Sequence, residues 1–351
     1  MKIKDIINQD KFSKNIRLEI FKKILSENLK ITNEKLLIIG DKGLNDNLVA
    51  PIMTNAYALA AEELGIKYET IYQNYKARSE PADDVVVKKI SSLPKKSVLV
   101  INISNRVGNL QSIGKSLRTY IKENQHRFVS SSSLGSVRNE MLPFIIDCLD
   151  VDYKALDSKT KQLKEKITSA NEINVTTKAG TDLTFNIKGV ECCSASGVYT
   201  EPGTGGNLPG SEVYMPPLRN NVEGTLVIDG SARIKDRTIL VKHPIRVDIK
   251  KGFIHNISGG FEAKLLRDTL EWAHLKSKHP ETIWRIGELG IGLNNKAKII
   301  GSTIIDEKAY GTAHVAIGSN AWFGGDIKSI IHLDQVFKEP IIKLDGKLLK
   351  Y

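Results

Sequence analysis

Apolar residues fall into two alternating rhythms over the first 150 residues. Short unbroken runs occupy residues 35–40 (Lys-Leu-Leu-Ile-Ile-Gly), 68–72 and 97–103 (Ser-Val-Leu-Val-Ile-Asn-Ile), with another candidate at 126–131. Runs of this length, rich in β-branched residues, predict strands buried on both faces. Between them the spacing becomes helical. It does so over 10–30, where Ile16, Ile20, Phe21, Ile24 and Leu25 recur on one face, and over the alanine-rich stretch 48–65 closed by Gly65. Residues 82–92, 108–123 and about 135–148 follow suit. Strand–helix alternation predicts βαβ units around a mostly parallel sheet, a Rossmann-like α/β domain over residues 1–155.

The charged stretch from Asp157 to Lys166 predicts a linking helix. Beyond it the period shortens to two. Residues 172–177 and 182–187 alternate polar and apolar around Lys178-Ala-Gly180, the pattern of a hairpin. Further strands are predicted at 224–230, 237–241, 246–249 and 253–257, with one helix at 261–276. Residues 156–351 therefore read as a β-rich α+β domain, with no internal repeat and no low-complexity tract.

Composition narrows the function. The chain has 351 residues, 41% hydrophobic and 26% charged, which suits about two packed domains. No apolar stretch approaches the ~20 residues of a membrane span, and the N-terminus lacks a secretory apolar core, so a cytoplasmic protein is expected. Cys148, Cys192 and Cys193 form no disulfide framework or spaced metal-binding pairs, and they read as small buried hydrophobes. The net charge is +11, but the lysines are scattered and aromatics are only 6%, so no nucleic-acid platform is expected. A positive field would still attract anionic substrates. Gly40-Asp-Lys-Gly43 follows the first strand, yet neither G-x-G-x-x-G nor G-x-x-x-x-G-K-[ST] occurs, which favours a plain scaffold over a dinucleotide site.

The chemistry concentrates in the last third. Glu288, His314, His332 and Asp334 each lie in a short apolar segment punctuated by glycine. On a strand, His332 and Asp334 point the same way, and His314 shares a face with Thr312 and Ala316, which leave room beside it. One such histidine or glutamate alone is more often structural. Four together on apolar strands would cost several kcal/mol to bury unless paired or bound to a cation, so they read as a metal site. Glu212 joins them from the Gly/Pro-rich loop 204–217, and Trp322, Phe323 and Tyr214 are candidates for a substrate pocket or for packing. The remaining histidines, His126, His243, His255, His274 and His279, read as structural.

Four segments carry a family resemblance: Asn207-Leu-Pro-Gly-Ser-Glu212-Val-Tyr, Gly287-Glu288-Leu-Gly-Ile-Gly-Leu-Asn294, Asp306-Glu-Lys-Ala-Tyr-Gly-Thr-Ala-His314-Val-Ala-Ile-Gly318 and His332-Leu-Asp334. In this order they resemble the motifs of the thermophilic-type metallo-aminopeptidases, the aminopeptidase T and aminopeptidase S group. The resemblance implies metal ligands at Glu212, Glu288, His314, His332 and Asp334, two divalent cations (Zn, Co, Mn or Mg), and a homodimer. It implies a hydrolase that removes N-terminal residues from peptides with a metal-activated water, Glu212 or Glu288 taking the water's proton. Between Gly318 and His332, Trp322 and Phe323 stand where the peptidases carry a tyrosine and a longer insertion. A related branch, similar to 2,5-dihydroxypyridine 5,6-dioxygenase, implies instead a ring-cleaving enzyme with one Fe(II) held by His314, His332 and Asp334.

Overall fold

A computed structural model of the protein describes residues 16–77, 80–114 and 116–351. The chain forms two compact units. The first takes residues up to Lys154 together with Gly197–Gly210, and the second takes Ala155–Ser196 and Ser211–Tyr351.

The first unit is built on a five-stranded parallel sheet. In spatial order its strands are Tyr68–Gln73, Leu36–Asp41, Val98–Asn102, Arg127–Ser131 and Gly205–Asn207. The unbroken apolar runs are its central strands, with Leu36–Ile39 and Val98–Ile101 fully buried. Each such side chain contributes about 1.5–3 kcal/mol on burial. Helix Val49–Glu63 is buried along nearly its whole length, and Gly65 beyond it takes φ +67, the left-handed turn that ends the helix.

Three helices differ from the sequence pattern. The expected helix over 108–123 is broken: a single turn at Gln111–Ile113 ends at Gly114 with φ +66, and the helix proper is Leu117–Glu123. The expected helix near 135 begins only at Leu142, because Pro143 starts it and two single turns precede it. Of the segment 10–30, residues 10–15 lie outside the described residues, and the rest is helix Leu18–Lys23 running into a wider turn at Ile24–Asn28. The fifth strand, Gly205–Asn207, brings residues from the β-rich half back to this sheet, which the reading with a boundary at 155 does not contain.

The second unit takes helix Tyr153–Thr168 from Ala155 onward and holds two seven-stranded antiparallel sheets. One contains the expected hairpin, Glu172–Thr176 with Asp182–Asn186. The other runs Thr238–Leu240, Ser231–Arg233, His332–Lys338, Thr312–Gly318, Ile286–Gly292, Glu212–Met215, Cys193–Ala195. One apolar core draws on both sheets and on helix Phe261–Lys276. Ile173, Phe185, Leu226 and Val247 come from the first sheet, Leu289, Val315, Leu333 and Phe337 from the second, and Leu266 and Leu270 from the helix. None of the three cysteines forms a disulfide. Cys148 and Cys192 are buried, whereas Cys193 is only half-buried, with its Sγ 3.7 Å from the Phe323 carbonyl. Among the described residues no helix is long and apolar enough to cross a membrane.

Candidate metal centre

The second antiparallel sheet sorts its side chains by the strand period of two. Leu289, Ile291, Val315, Ile317, Leu333 and Phe337 face the core. The alternate residues face the other way, and the register lines them up. Glu288 sits opposite Ala316, which sits opposite Asp334. Gly290, His314 and Val336 form the next rank, and Gly292 pairs with Glu212. All five expected residues are thereby gathered on one face within one unit.

Two glycines make this arrangement possible. Residues two apart on a strand normally share a face, yet Ile286 belongs to the core and Glu288 to the site. The pairing slips between them, so that Ile286 meets Ile317 and Glu288 meets Ala316. The extra residue of this bulge is Gly287, where a Cβ would lie 2.3 Å from the Gly318 carbonyl oxygen. At Gly290 a Cβ would lie 2.2 Å from the His314 Nε2, so the imidazole occupies the space that a side chain would fill. Ser211, just before Glu212, takes φ +91, a conformation that non-glycine residues rarely adopt.

The functional atoms converge on the Glu288 carboxylate. Its Oε1 is 3.1 Å from His314 Nε2, and its Oε2 is 3.5 Å from His332 Nε2. His332 Nε2 is also 3.2 Å from Asp334 Oδ1, and its Nδ1 donates to the Ser319 carbonyl at 2.7 Å. That last bond fixes the tautomer whose Nε2 lone pair is free for a metal. Glu212 Oε2 lies 3.7 Å from His314 Nε2 and has no hydrogen-bond partner.

Two residues that sequence reasoning did not single out complete the cluster. Lys308, 1% exposed, bridges two carboxylates, with its Nζ 2.5 Å from Glu212 Oε1 and 2.6 Å from Glu307 Oε1. The signal was present inside the Asp306–Gly318 motif, but a Glu-Lys pair there reads as a solvated turn. The chain comes this close because Gly292 has no side chain, as a Cβ there would be 2.3 Å from the Ala309 carbonyl oxygen.

The electrostatics follow from burial. Desolvation raises the Glu288 carboxyl above its ordinary range despite both histidines, and pushes Glu307 up to about 8 against the pull of Lys308. Burial alone would lower the cations, but the surrounding carboxylates win. Glu288 holds His314 up to about 9, Asp334 with Glu288 holds His332 up to about 10, and Glu212 with Glu307 holds Lys308 above its ordinary value. The Asp334 carboxyl is held well below the usual range, because His332 outweighs its desolvation. Once both imidazoles give up their protons on binding, four buried carboxylates against one lysine leave negative charge that a divalent cation fits. Three overlapping groups have ligand atoms within 4.8 Å of one another: Glu212–Glu288–His314, Glu288–His332–Asp334 and Glu307–His314–Asp334. A metal that displaces the protons of His314 and His332 would find two neutral imidazole nitrogens beside the unpartnered Glu212 Oε2, so the donor set fits a divalent cation.

Beside it, the Trp322 ring lies 4.6 Å from the His332 ring, and Phe323 stacks edge-on with Trp322 and with Tyr214. Trp322 and Phe323 border an open cavity of about 820 Å³, also lined by Cys193, Pro216, Arg219 and Asp326. His279 is a surface residue beside Glu281, away from this centre in its contacts.

The family model described as NicX, 2,5-dihydroxypyridine 5,6-dioxygenase, matches residues 17–349. The chain belongs to this family. A curated 2,5-dihydroxypyridine 5,6-dioxygenase of Pseudomonas putida is 30% identical over 187 residues, 51% of this chain and 52% of the relative. The chain thus spans about half the length of the curated relative it matches. A solved 2,5-dihydroxypyridine dioxygenase from Pseudomonas putida superposes with a TM-score of 0.72 at 18% identity, covering 94% of both chains. Wild-type AmpT from Thermus thermophilus superposes with a TM-score of 0.65 at 14% identity, covering 97% of this chain and 100% of that one. Both likenesses show the fold, a five-stranded parallel sheet with helices followed by β-rich antiparallel sheets. The order of the two resemblances is corrected. The match to the dioxygenase family runs through the sequence, whereas the likeness to the aminopeptidase T scaffold is one of fold.

Proposed function

We propose that this member of the dihydroxypyridine dioxygenase family is a metal-dependent enzyme that opens a hydroxylated pyridine ring with dioxygen, using iron(II). The family match over residues 17–349 carries this reading, because it includes every residue of the metal centre. Bound iron(II) would supply open coordination positions for the ring substrate and dioxygen.

The chain's own residues supply the rest. His332, tied through Nδ1 to Ser319, and Asp334 present their donor atoms from one rigid strand, and Glu288 faces both histidines. Trp322 and Phe323 offer flat apolar surfaces for an aromatic ring, and the net charge of +11 favours an anionic one. Purified protein loaded anaerobically with Fe(II) is expected to consume oxygen when 2,5-dihydroxypyridine is added, as the substrate's absorbance is lost. Release of arylamine from aminoacyl arylamides by the Zn-, Co- or Mn-loaded protein, with no oxygen uptake, would overturn it.

That second outcome is the alternative reading, an aminopeptidase-like hydrolase with two divalent cations. One observation favours it: the candidate ligand groups overlap at Glu288 and His314, the layout from which paired cations are held.

A further inference from the structure

The cavity beside the metal centre is far larger than one ring. A space of about 150 Å³ already holds benzene. This cavity measures about 820 Å³, within the range of pockets that take a drug-sized molecule. It lies on the same face of the same sheet as the metal cluster. Glu212 and Tyr214, two apart on one strand, share that face, and Cys193 pairs directly with Tyr214. Cys193, Pro216, Pro217 and Leu218 line the cavity, and Trp322 joins it to His332 through rings 4.6 Å apart. Its wall is anchored. The buried Asn320 side chain donates to the Gly287 carbonyl at 3.1 Å and accepts from the Ile327 amide at 2.8 Å, which fixes the base of the Trp322 loop. The charged residues of the lining are already paired, Glu191 with Lys164 at 3.2 Å and Arg219 with Asp326 at 3.4 Å. Burial raises the Cys193 thiol above its ordinary range, so it stays neutral.

We propose that this cavity is a subsite for an uncharged, apolar substituent on the ring, so that the chain acts on an extended hydroxylated pyridine in preference to the bare ring. The ring stands at Trp322 and Phe323 beside His332, and the substituent runs along Cys193, Pro216, Pro217 and Leu218. Cys193 and Leu218 are then specificity-determining residues. A charged tail finds no free counter-charge there, whereas each buried methylene adds affinity. The inference rests on the ring-opening reading above and deepens it by naming the substrate class.

The test measures affinity and turnover separately on the full-length protein loaded anaerobically with Fe(II). Calorimetric titration without oxygen compares 2,5-dihydroxypyridine with its 3-hexyl and 4-hexyl analogues, and with carboxypentyl analogues of equal length. The better hexyl isomer is expected to bind at least about tenfold more tightly than the bare ring, and the charged tail no more than about twofold. Leu218→Asp, which puts a charge on the lining, and Cys193→Trp, which fills the cavity, should each cut the hexyl-to-parent affinity ratio at least about threefold. No gain from the hexyl tail, an equal gain from the carboxypentyl tail, or an unchanged ratio in the folded variants would each overturn the inference. If one variant does not fold, the other and the wild-type series still decide it. Oxygen uptake is then followed with each compound. A protein that binds the hexyl tail but consumes no oxygen with any of these rings would remove the ring-opening reading instead, so the two failures look different.

Discussion

The parallel sheet of the first unit and the Glu288 sheet of the second both bury carboxylates on strands, and they satisfy them differently. At the end of strand Leu36–Asp41, the Asp41 carboxylate accepts hydrogen bonds from the Ser104 amide at 2.6 Å, the Ser104 hydroxyl at 2.7 Å and the Gly43 amide at 3.0 Å. Neutral donors surround it, and it closes a turn of the fold. In the second unit Glu212, Glu288, Glu307 and Asp334 face one another, separated by two imidazoles and one ammonium. Burial is similar in the two places. The difference lies in the partners: a carboxylate held by amides is finished, whereas a group of carboxylates held by titratable cations has room for another cation.

The strongest way to break this contrast is to remove a member of each set. Glu288→Ala should abolish metal retention and lower turnover more than the ~10–100-fold expected from losing a mere supporting partner. Asp41→Asn should do the opposite, costing about 1–3 kcal/mol in urea unfolding through strained or unmet Ser104 donors while the metal content stays at wild-type level. Equal loss of metal in both variants would erase the distinction.

A second pair sharpens it with glycines. A Cβ at Gly290 meets the His314 ring at 2.2 Å, and one at Gly40 meets Thr54 Oγ1 at 2.5 Å. Gly290→Ala should displace the imidazole and weaken metal binding at least about tenfold, read by competition with a fluorescent chelator. Gly40→Ala should cost about 1–3 kcal/mol of stability as an overpacked site and leave that affinity untouched.

The same contrast explains what could be read in the sequence. The parallel sheet was legible because its strands are continuous apolar runs, and helix Phe261–Lys276 because its spacing and glycine boundary agree. Glu212, Glu288, His314, His332 and Asp334 stood out as polar residues on apolar strands, and the structure brings them together. Glu307 and Lys308 did not stand out, because their burial comes from a long-range approach to Gly292 that no local pattern encodes. The return of Gly205–Asn207 to the parallel sheet was hidden for the same reason. Gly-Gly-Asn has no strand propensity, and its pairing with Phe128–Ser130 is set by tertiary contact. The bulge at Gly287 likewise shows only once the register is known.

The smallest effect concerns pH, and here the two units respond in opposite directions. In chelated protein His314 and His332 are held up to about 9 and 10, above the ordinary 6.5, because neighbouring carboxylates outweigh burial. Groups raised in the folded state contribute stability that is complete below 6.5 and disappears as pH climbs through 9 to 10. His126, in the first unit, is pushed below 6.5 by burial, against a smaller opposing pull from the Ser97 backbone. A histidine lowered in this way contributes stability above 6.5 that is lost as pH falls, because the unfolded chain takes up a proton that the folded chain refuses. Metal-free wild type should therefore lose stability on both sides of neutrality. His126→Phe should flatten only the acid limb, and His332→Gln should flatten only the alkaline one. Thermal melts from pH 5 to 10 measure both limbs, and an alkaline limb unchanged by His332→Gln would show that the carboxylate cluster does not hold that imidazole protonated.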